Sequence, residues 1–172
     1  LMQRAVSKFV PADDLVVPYT ATSLDDCETI IHTVRMTENE LRKQQVGGFY
    51  RDIEVNPTHL NETEAEKKER ALEGVSKGRD DRMFSILECH TDLDLEGFED
   101  VGQDGQPTGI KIPYIITLEE GTRKILSIRR NYEVGDPMKK KINYFVHFKF
   151  LPGLGFYGFG LIHMIGGLSR TA

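Results

Sequence analysis

Every second residue is apolar or aromatic in the stretch Ile110-Lys111-Ile112-Pro113-Tyr114-Ile115-Ile116-Thr117-Leu118. A period of two is typical of a β-strand, because successive side chains point to opposite faces of a sheet. Three other stretches alternate in the same way, at 83–96, 123–133 and 142–151. Glu119-Glu120-Gly121-Thr122 has the composition of a hairpin turn. Four strands in a row predict an antiparallel β-meander.

The first half of the chain predicts two more strands and two helices. Leu15-Val16-Val17 is a short apolar run, and residues 28–36 alternate with frequent β-branched side chains, so both are expected to be strands. Thr37-Glu38-Asn39-Glu40 has the spacing of a capping box, in which the first and fourth side chains each bind a free backbone N–H. A helix should begin there and end at Gly47-Gly48. A second, exposed helix is expected over 61–74.

Together these patterns predict an α+β fold: an antiparallel β-meander with two or three helices, ending in a glycine-rich junction and the start of a longer helix. The length of 172 residues and the 39% of hydrophobic side chains suit one ordinary globular domain. We expect this domain to span 1–151, with the junction and helix start in 152–172. Position 1 is Leu rather than an initiator Met, and both ends are expected to be cut from a longer protein.

The balance of charges and cysteines excludes some classes of function. A net charge of −5 disfavours a dedicated nucleic-acid binder, which needs a basic surface. Cys27 and Cys89 lie outside any C-x-x-C pattern, so neither a disulfide scaffold nor a structural zinc site is indicated. Residues 88–104 carry seven acidic residues, whereas 123–149 carry eight basic ones against two acidic. These charges either face each other across the predicted sheet or form a polarised surface for a partner.

Glu88, His90, Asp92 and Asp94 project from one face of a predicted strand, because they lie two residues apart. Their oxygen and nitrogen atoms are ligands that a divalent metal ion accepts. Side chains spaced in this way stand ~7 Å apart, however, whereas a small ion needs ligands that converge from several elements. A solvated strand face is the favoured interpretation. A metal-dependent hydrolase or nuclease-like domain that uses Glu88, His90 and Asp92 is the alternative.

Two other sets of residues are candidates for a catalytic or a phosphate-binding role. His32 alternates with apolar residues, which indicates a hydrogen-bonded core residue rather than a catalytic one. Lys139-Lys140-Lys141 could contact phosphate, although three lysines after Asp136-Pro137 are more typical of a solvated turn or strand end. The sequence contains no nucleophile elbow, Walker-type loop or dinucleotide fingerprint. It therefore predicts no catalytic residue, no metal site and no cofactor.

The chain ends in a glycine-rich segment without a charged residue from Pro152 to Ser169. This run is shorter than the ~20 residues that a membrane-spanning helix needs, and six glycines weaken it further. A membrane-inserted pore is therefore the less favoured interpretation. Because glycine lets a backbone approach its neighbour closely, we expect this segment to pack against another domain or subunit.

Several motifs occur in a fixed order along the chain. The first three motifs are Asp14-Leu15-Val16-Val17-Pro18-Tyr19, Thr37-Glu38-Asn39-Glu40-Leu41 and Val46-Gly47-Gly48-Phe49-Tyr50-Arg51-Asp52. The last two are Leu151-Pro152-Gly153-Leu154-Gly155-Phe156-Tyr157-Gly158-Phe159-Gly160-Leu161-Ile162-His163 and Gly166-Gly167-Leu168-Ser169. These motifs resemble the wing region of the portal proteins of tailed bacteriophages, of the podovirus type. The last two are similar to the junction at which that family's chain leaves the wing and begins a long stem helix. Residues 56–109 match only in order and composition.

The resemblance implies a wing-region fragment, with a wing-like domain over 1–151 and a truncated stem helix at the end of 152–172. Portals of this family are dodecameric rings at one capsid vertex, through which double-stranded DNA passes during packaging and ejection. The implied partners are other copies of the chain, capsid and scaffolding proteins, the terminase motor, head-completion or tail proteins and DNA in transit, but no membrane. The implied location is the virion, after assembly in the host cytoplasm. Because the ATPase and the nuclease belong to terminase, the chain is not expected to be an enzyme.

The same resemblance suggests where copies of the chain meet. The expected subunit-interface residues are Gly153, Gly155, Phe156, Tyr157, Phe159 and His163. Lys139, Lys140 and Lys141 are the candidate phosphate contacts.

Overall fold

The computed structural model describes residues 6–25, 27–56, 68, 72, 83–102, 104–153 and 155–171. These residues form a five-stranded antiparallel sheet with the strand order β1-β2-β3-β4-β5. The strands are β1 (Leu15–Val16), β2 (Thr29–Thr37), β3 (Met83–Leu93), β4 (Ile112–Glu119) and β5 (Ile125–Arg130), and the helices are α1 (Glu38–Val46) and α2 (Leu161–Thr171). The predicted α+β meander is confirmed. The helix predicted over 61–74 lies outside the described residues, apart from the helical Lys68 and Leu72.

The hairpin between β4 and β5 forms where the turn was predicted. Thr117 pairs with Ser127, and a bulge lies between Thr117 and Leu118. The Glu119 side chain is buried, and it accepts hydrogen bonds from the backbone N–H groups of Gly121, at 2.8 Å, and Thr122. Because a buried carboxylate needs such donors, this side chain fixes the turn from the inside.

The contacts within the chain divide it into two compact units. Unit 1 comprises 1–31, 90–113 and 131–172, and unit 2 comprises 32–89 and 114–130. Unit 1 contains a hydrophobic cluster of Ala21, Cys27, Ile30 and Phe156, against which Leu15, Val17, Leu24 and Phe145 pack. Unit 2 contains a cluster of Met36, Leu41, Tyr50, Phe84, Ile86 and Leu126. Each unit thus has a core of its own.

The helix α1 begins and ends as its sequence predicts. The Thr37 hydroxyl accepts a hydrogen bond from the backbone N–H of Glu40, and the Glu40 carboxylate accepts one from the backbone N–H of Thr37. Met36 and Leu41, on either side of the cap, are buried in the unit 2 cluster. At the other end, Gly48 adopts a φ of +73°, which few residues other than glycine tolerate.

The prediction of a strand over 142–151 is wrong. Residues 141–149 have no regular secondary structure, although their side chains alternate between partly buried and exposed positions from Phe145 onward. Ile142 exchanges hydrogen bonds with Asn131, whose backbone carbonyl accepts from the Ile142 N–H. The alternating pattern of apolar residues therefore indicates which side chains are turned toward the protein. A strand also needs a neighbouring strand that is hydrogen-bonded along its length.

The acidic and basic regions do not pair as neighbouring strands. Glu88 lies on β3 and Arg129 on β5, and β4 lies between these two strands in the sheet. An ion pair within unit 1 nevertheless joins the two regions, because the Lys139 ammonium contacts the Asp100 carboxylate. This contact between loops is one place where the two charged regions complement each other.

Loss of the α1 cap should lower the stability of the chain. Thr37→Ala removes the hydroxyl that accepts from Glu40, and we expect the free energy of unfolding to fall by about 1 kcal/mol. Urea denaturation measures this as a lower midpoint with an unchanged slope. Thr20→Ala, at an exposed turn position, is the control and should leave the midpoint unchanged. Equal losses in the two variants would contradict the role of the cap.

Candidate functional site

Glu88, a ligand in the alternative metal-site interpretation, is paired with a histidine. Its Oε2 atom lies 3.2 Å from Nδ1 of His32, and both side chains are largely buried. Tyr50 in the same unit is buried, and this burial, with a smaller contribution from the charge of Glu88, raises its pKa to about 12. The Arg129 guanidinium lies 4.3 Å from the centre of the Phe49 ring. His32 is therefore a hydrogen-bonded, part-buried residue, as its sequence context predicts.

His90, the second residue of that alternative, faces aromatic rings. It is 6% exposed, and its ring centre lies 5.1 Å from that of Phe145 and 5.9 Å from that of Tyr144. Asp92 carries a buried Oδ1 atom without a hydrogen-bond partner, and Asp94 is exposed. Among the residues that the structure describes, no group of three or more His, Cys, Asp or Glu side chains could hold a metal ion.

The three candidate phosphate-binding lysines form part of a tight turn. The Asp136 carboxylate accepts hydrogen bonds from the backbone N–H groups of Met138 and Lys140, which lowers its pKa. The Lys139 side chain is paired with Asp100, and the Lys141 ammonium donates to the Cys27 carbonyl at 2.9 Å. Lys140 is exposed. Two of the three ammonium groups are therefore used within unit 1.

The glycine-rich junction folds back on the segment before it. Leu151 and Phe159 form an antiparallel bridge, in which the Phe159 N–H donates to the Leu151 carbonyl at 3.0 Å. A Cβ atom at Gly153 would lie 2.7 Å from the Phe159 ring. Gly158 has a φ of +66°, and a Cβ atom there would lie 2.6 Å from the Leu151 oxygen. Glycine is needed at both positions because the backbone and an aromatic ring approach so closely.

Phe156 anchors this junction inside unit 1. Its ring is 7% exposed, belongs to the unit 1 cluster and stacks on His147 with the ring centres 4.2 Å apart. The Lys149 ammonium donates to the carbonyls of Thr22 and Gly155, at 2.9 and 3.2 Å. These contacts hold the inward side chains of residues 145–149 against the unit.

The outward side chains of the same segment form an apolar strip, which we define as Tyr144, Val146, Phe148 and Phe150. Val146 is 95% exposed, Phe148 89%, Phe150 63% and Tyr144 60%. Side chains of this kind are normally inside a protein. The sequence reasoning missed the strip because it assigned these residues to a paired strand. Their alternation with Phe145, His147 and Lys149 was the signal that could have found it.

Among the predicted interface residues, Phe156 is buried and Gly153 is partly buried, and the others lie at the surface. Tyr157, Phe159 and His163 are exposed, and the rings of Phe159 and His163 lie 5.6 Å apart at the start of α2. Leu161, Met164 and Ile165 of α2 are also exposed. No helix in the described part of the chain is long and apolar enough to cross a membrane.

Comparisons with known proteins assign no family. No protein-family model matches the chain, and no curated protein matches it. Function therefore has to be argued from the residues themselves.

The titration of His147 tests how this ring is packed against the junction. Desolvation by burial, and then the charge of Lys149, lower its pKa. Because the unfolded chain binds this proton more strongly, the free energy of unfolding should fall as the pH drops below about 6.5. Lys149→Gln should raise the pKa of His147, as measured by NMR titration, whereas Lys140→Gln should not. A His147 that titrates at or above its ordinary value in the wild-type chain would contradict the packing described.

Gly158→Ala should disrupt the junction. The new methyl group meets the Leu151 oxygen, and a positive φ alone costs about 1–2 kcal/mol for an L-residue. We expect a lower unfolding midpoint and a changed environment of Phe156, seen by NMR. Gly160→Ala is the matched control, because its nearest neighbour would lie at an ordinary 3.8 Å. If the two variants behave alike, the backbone conformation at Gly158 is not what shapes the junction.

Proposed function

We propose that the chain is a structural component of a phage portal ring at the capsid vertex. In this role it forms part of the conduit for double-stranded DNA packaging and ejection and helps to dock the terminase motor. The observation that carries the proposal is the apolar strip, together with the exposed apolar residues of the junction and α2. A chain that has cores of its own and still exposes so many large apolar side chains is typical of a subunit that completes its burial in an assembly.

The order of the sequence motifs supports the same proposal. The resemblance to portal wing regions places a glycine-rich junction before a stem helix. A close-packed junction over 151–160 is followed here by α2 at Leu161–Thr171. We infer that copies of the chain are the main partner, with capsid and scaffolding proteins, terminase and head-completion or tail proteins around the ring. Lys140, the exposed lysine of the Asp136 turn, is the best candidate among the three lysines for a passing contact with DNA phosphate.

The acidic balance of the chain suits a conduit. Each phosphate that a protein neutralises adds salt-dependent affinity for DNA, so a wall that must let DNA slide should neutralise few of them. The chain has a formal net charge of −5. We assign no catalytic residue, and the alternative hydrolase based on Glu88, His90 and Asp92 gains no support from the contacts of Glu88 and His90.

Electron microscopy of the complete protein that contains these residues tests the proposal. We expect closed rings with twelve-fold symmetry and, by native mass spectrometry, a dodecameric mass. A protein that stays monomeric under all assembly conditions would contradict it. Added Mg²⁺ or Mn²⁺ should leave the melting temperature unchanged, and a metal-dependent rise with nuclease activity would favour the hydrolase instead.

A further inference from the structure

The apolar strip combines exposed side chains with an open backbone edge. In the described part of the chain, the backbone groups of Val146, Phe148 and Phe150 make no backbone hydrogen bond. The inward neighbours His147 and Lys149 are held by Phe156 and by two backbone carbonyls. One side of the segment is therefore anchored, and the other presents apolar side chains and backbone groups that make no backbone hydrogen bond within the described residues. Such an edge is suited to docking another polypeptide.

Together, the exposed apolar side chains of the strip, the junction and α2 offer the area that a stable subunit contact requires. With ~150–250 Å² per aromatic side chain, the exposed fractions of Tyr144, Phe148 and Phe150 correspond to roughly 400 Å². Val146, the junction aromatics and the exposed apolar residues of α2 bring the total to the order of 800–1,000 Å². A standard protein interface buries about 800 Å² per partner, whereas the largest apolar patch of a monomer is usually about 300–600 Å².

We propose that the strip Tyr144, Val146, Phe148 and Phe150 is the surface on which a second copy of this chain docks. This inference rests on the proposed function, in which every subunit of a ring contacts two neighbours. It moves the centre of the subunit interface from Phe156, which is buried within its own unit, to the segment before the junction. In a ring each copy meets its neighbours through two different surfaces, so the strip of one copy contacts another part of the next.

The chemistry of the strip favours a protein copy over DNA. Its outward side chains carry no charge, and the basic Lys149 in this segment is turned inward to carbonyls of its own unit. A phosphate backbone is bound through cationic side chains, which the strip does not present. Docking of an apolar surface instead gains free energy from the area removed from water.

The test compares two strip residues, Val146 and Phe148, with Val134, a fully exposed valine of the same unit. Val146→Glu and Phe148→Glu place a charge on the strip, and Val134→Glu places one at a position that is 104% exposed outside it. We expect the association constant of the complete protein, measured by sedimentation velocity, to fall at least tenfold in the two strip variants and to stay unchanged in Val134→Glu. Circular dichroism checks that all three variants remain folded.

The possible outcomes distinguish the proposed interface from the proposed portal function. Association that survives both strip variants, or falls equally in Val134→Glu, would overturn the strip as the interface even if the rings persist. Strip-dependent association into complexes other than rings would uphold the interface and refute the portal proposal. A wild-type protein that does not self-associate would overturn both.

Discussion

The glycine-rich junction and the apolar strip both depend on the stacking of Phe156 on His147. The Phe156 ring fills the unit 1 cluster, and His147 covers it from the segment before the junction, with ring centres 4.2 Å apart. Because side chains alternate along this segment, fixing His147 inward turns Val146 and Phe148 outward. One buried contact thus determines both the fold of the junction and the exposure of the apolar strip. Gly158 supports the same contact, because its positive φ allows the turn that follows Phe156.

Sequence patterns were sufficient for the elements whose signals are local. The period of two located β2 to β5, and the capping box at Thr37 located α1 to within a residue. The same period predicted a strand over 142–151, and this prediction was wrong. An alternating pattern indicates that a segment has two different faces, but it does not show that a neighbouring strand is hydrogen-bonded to it. The alternation there was correctly observed, but its inward face packs on Phe156 and on loop carbonyls instead of joining the sheet.

Contacts between distant residues explain why the candidate site was harder to predict. Glu88 binds His32, 56 positions away, and His90 meets Tyr144 and Phe145. Spacing along β3 could indicate that Glu88, His90 and Asp92 share a face, but not which groups they face. The aromatic surroundings of His90 could be found only in three dimensions.

Hydrogen exchange of backbone amides shows whether the apolar strip is buried between copies of the chain, because it reports on the strip without any substitution. In the unassembled protein, the amides of Val146, Phe148 and Phe150 should exchange almost as fast as in an unfolded peptide, because no backbone carbonyl of the described residues accepts a hydrogen bond from them. In the assembled protein, we expect at least tenfold slower exchange at these three amides, with no change at Val134. Equal exchange of the strip in both states would contradict it.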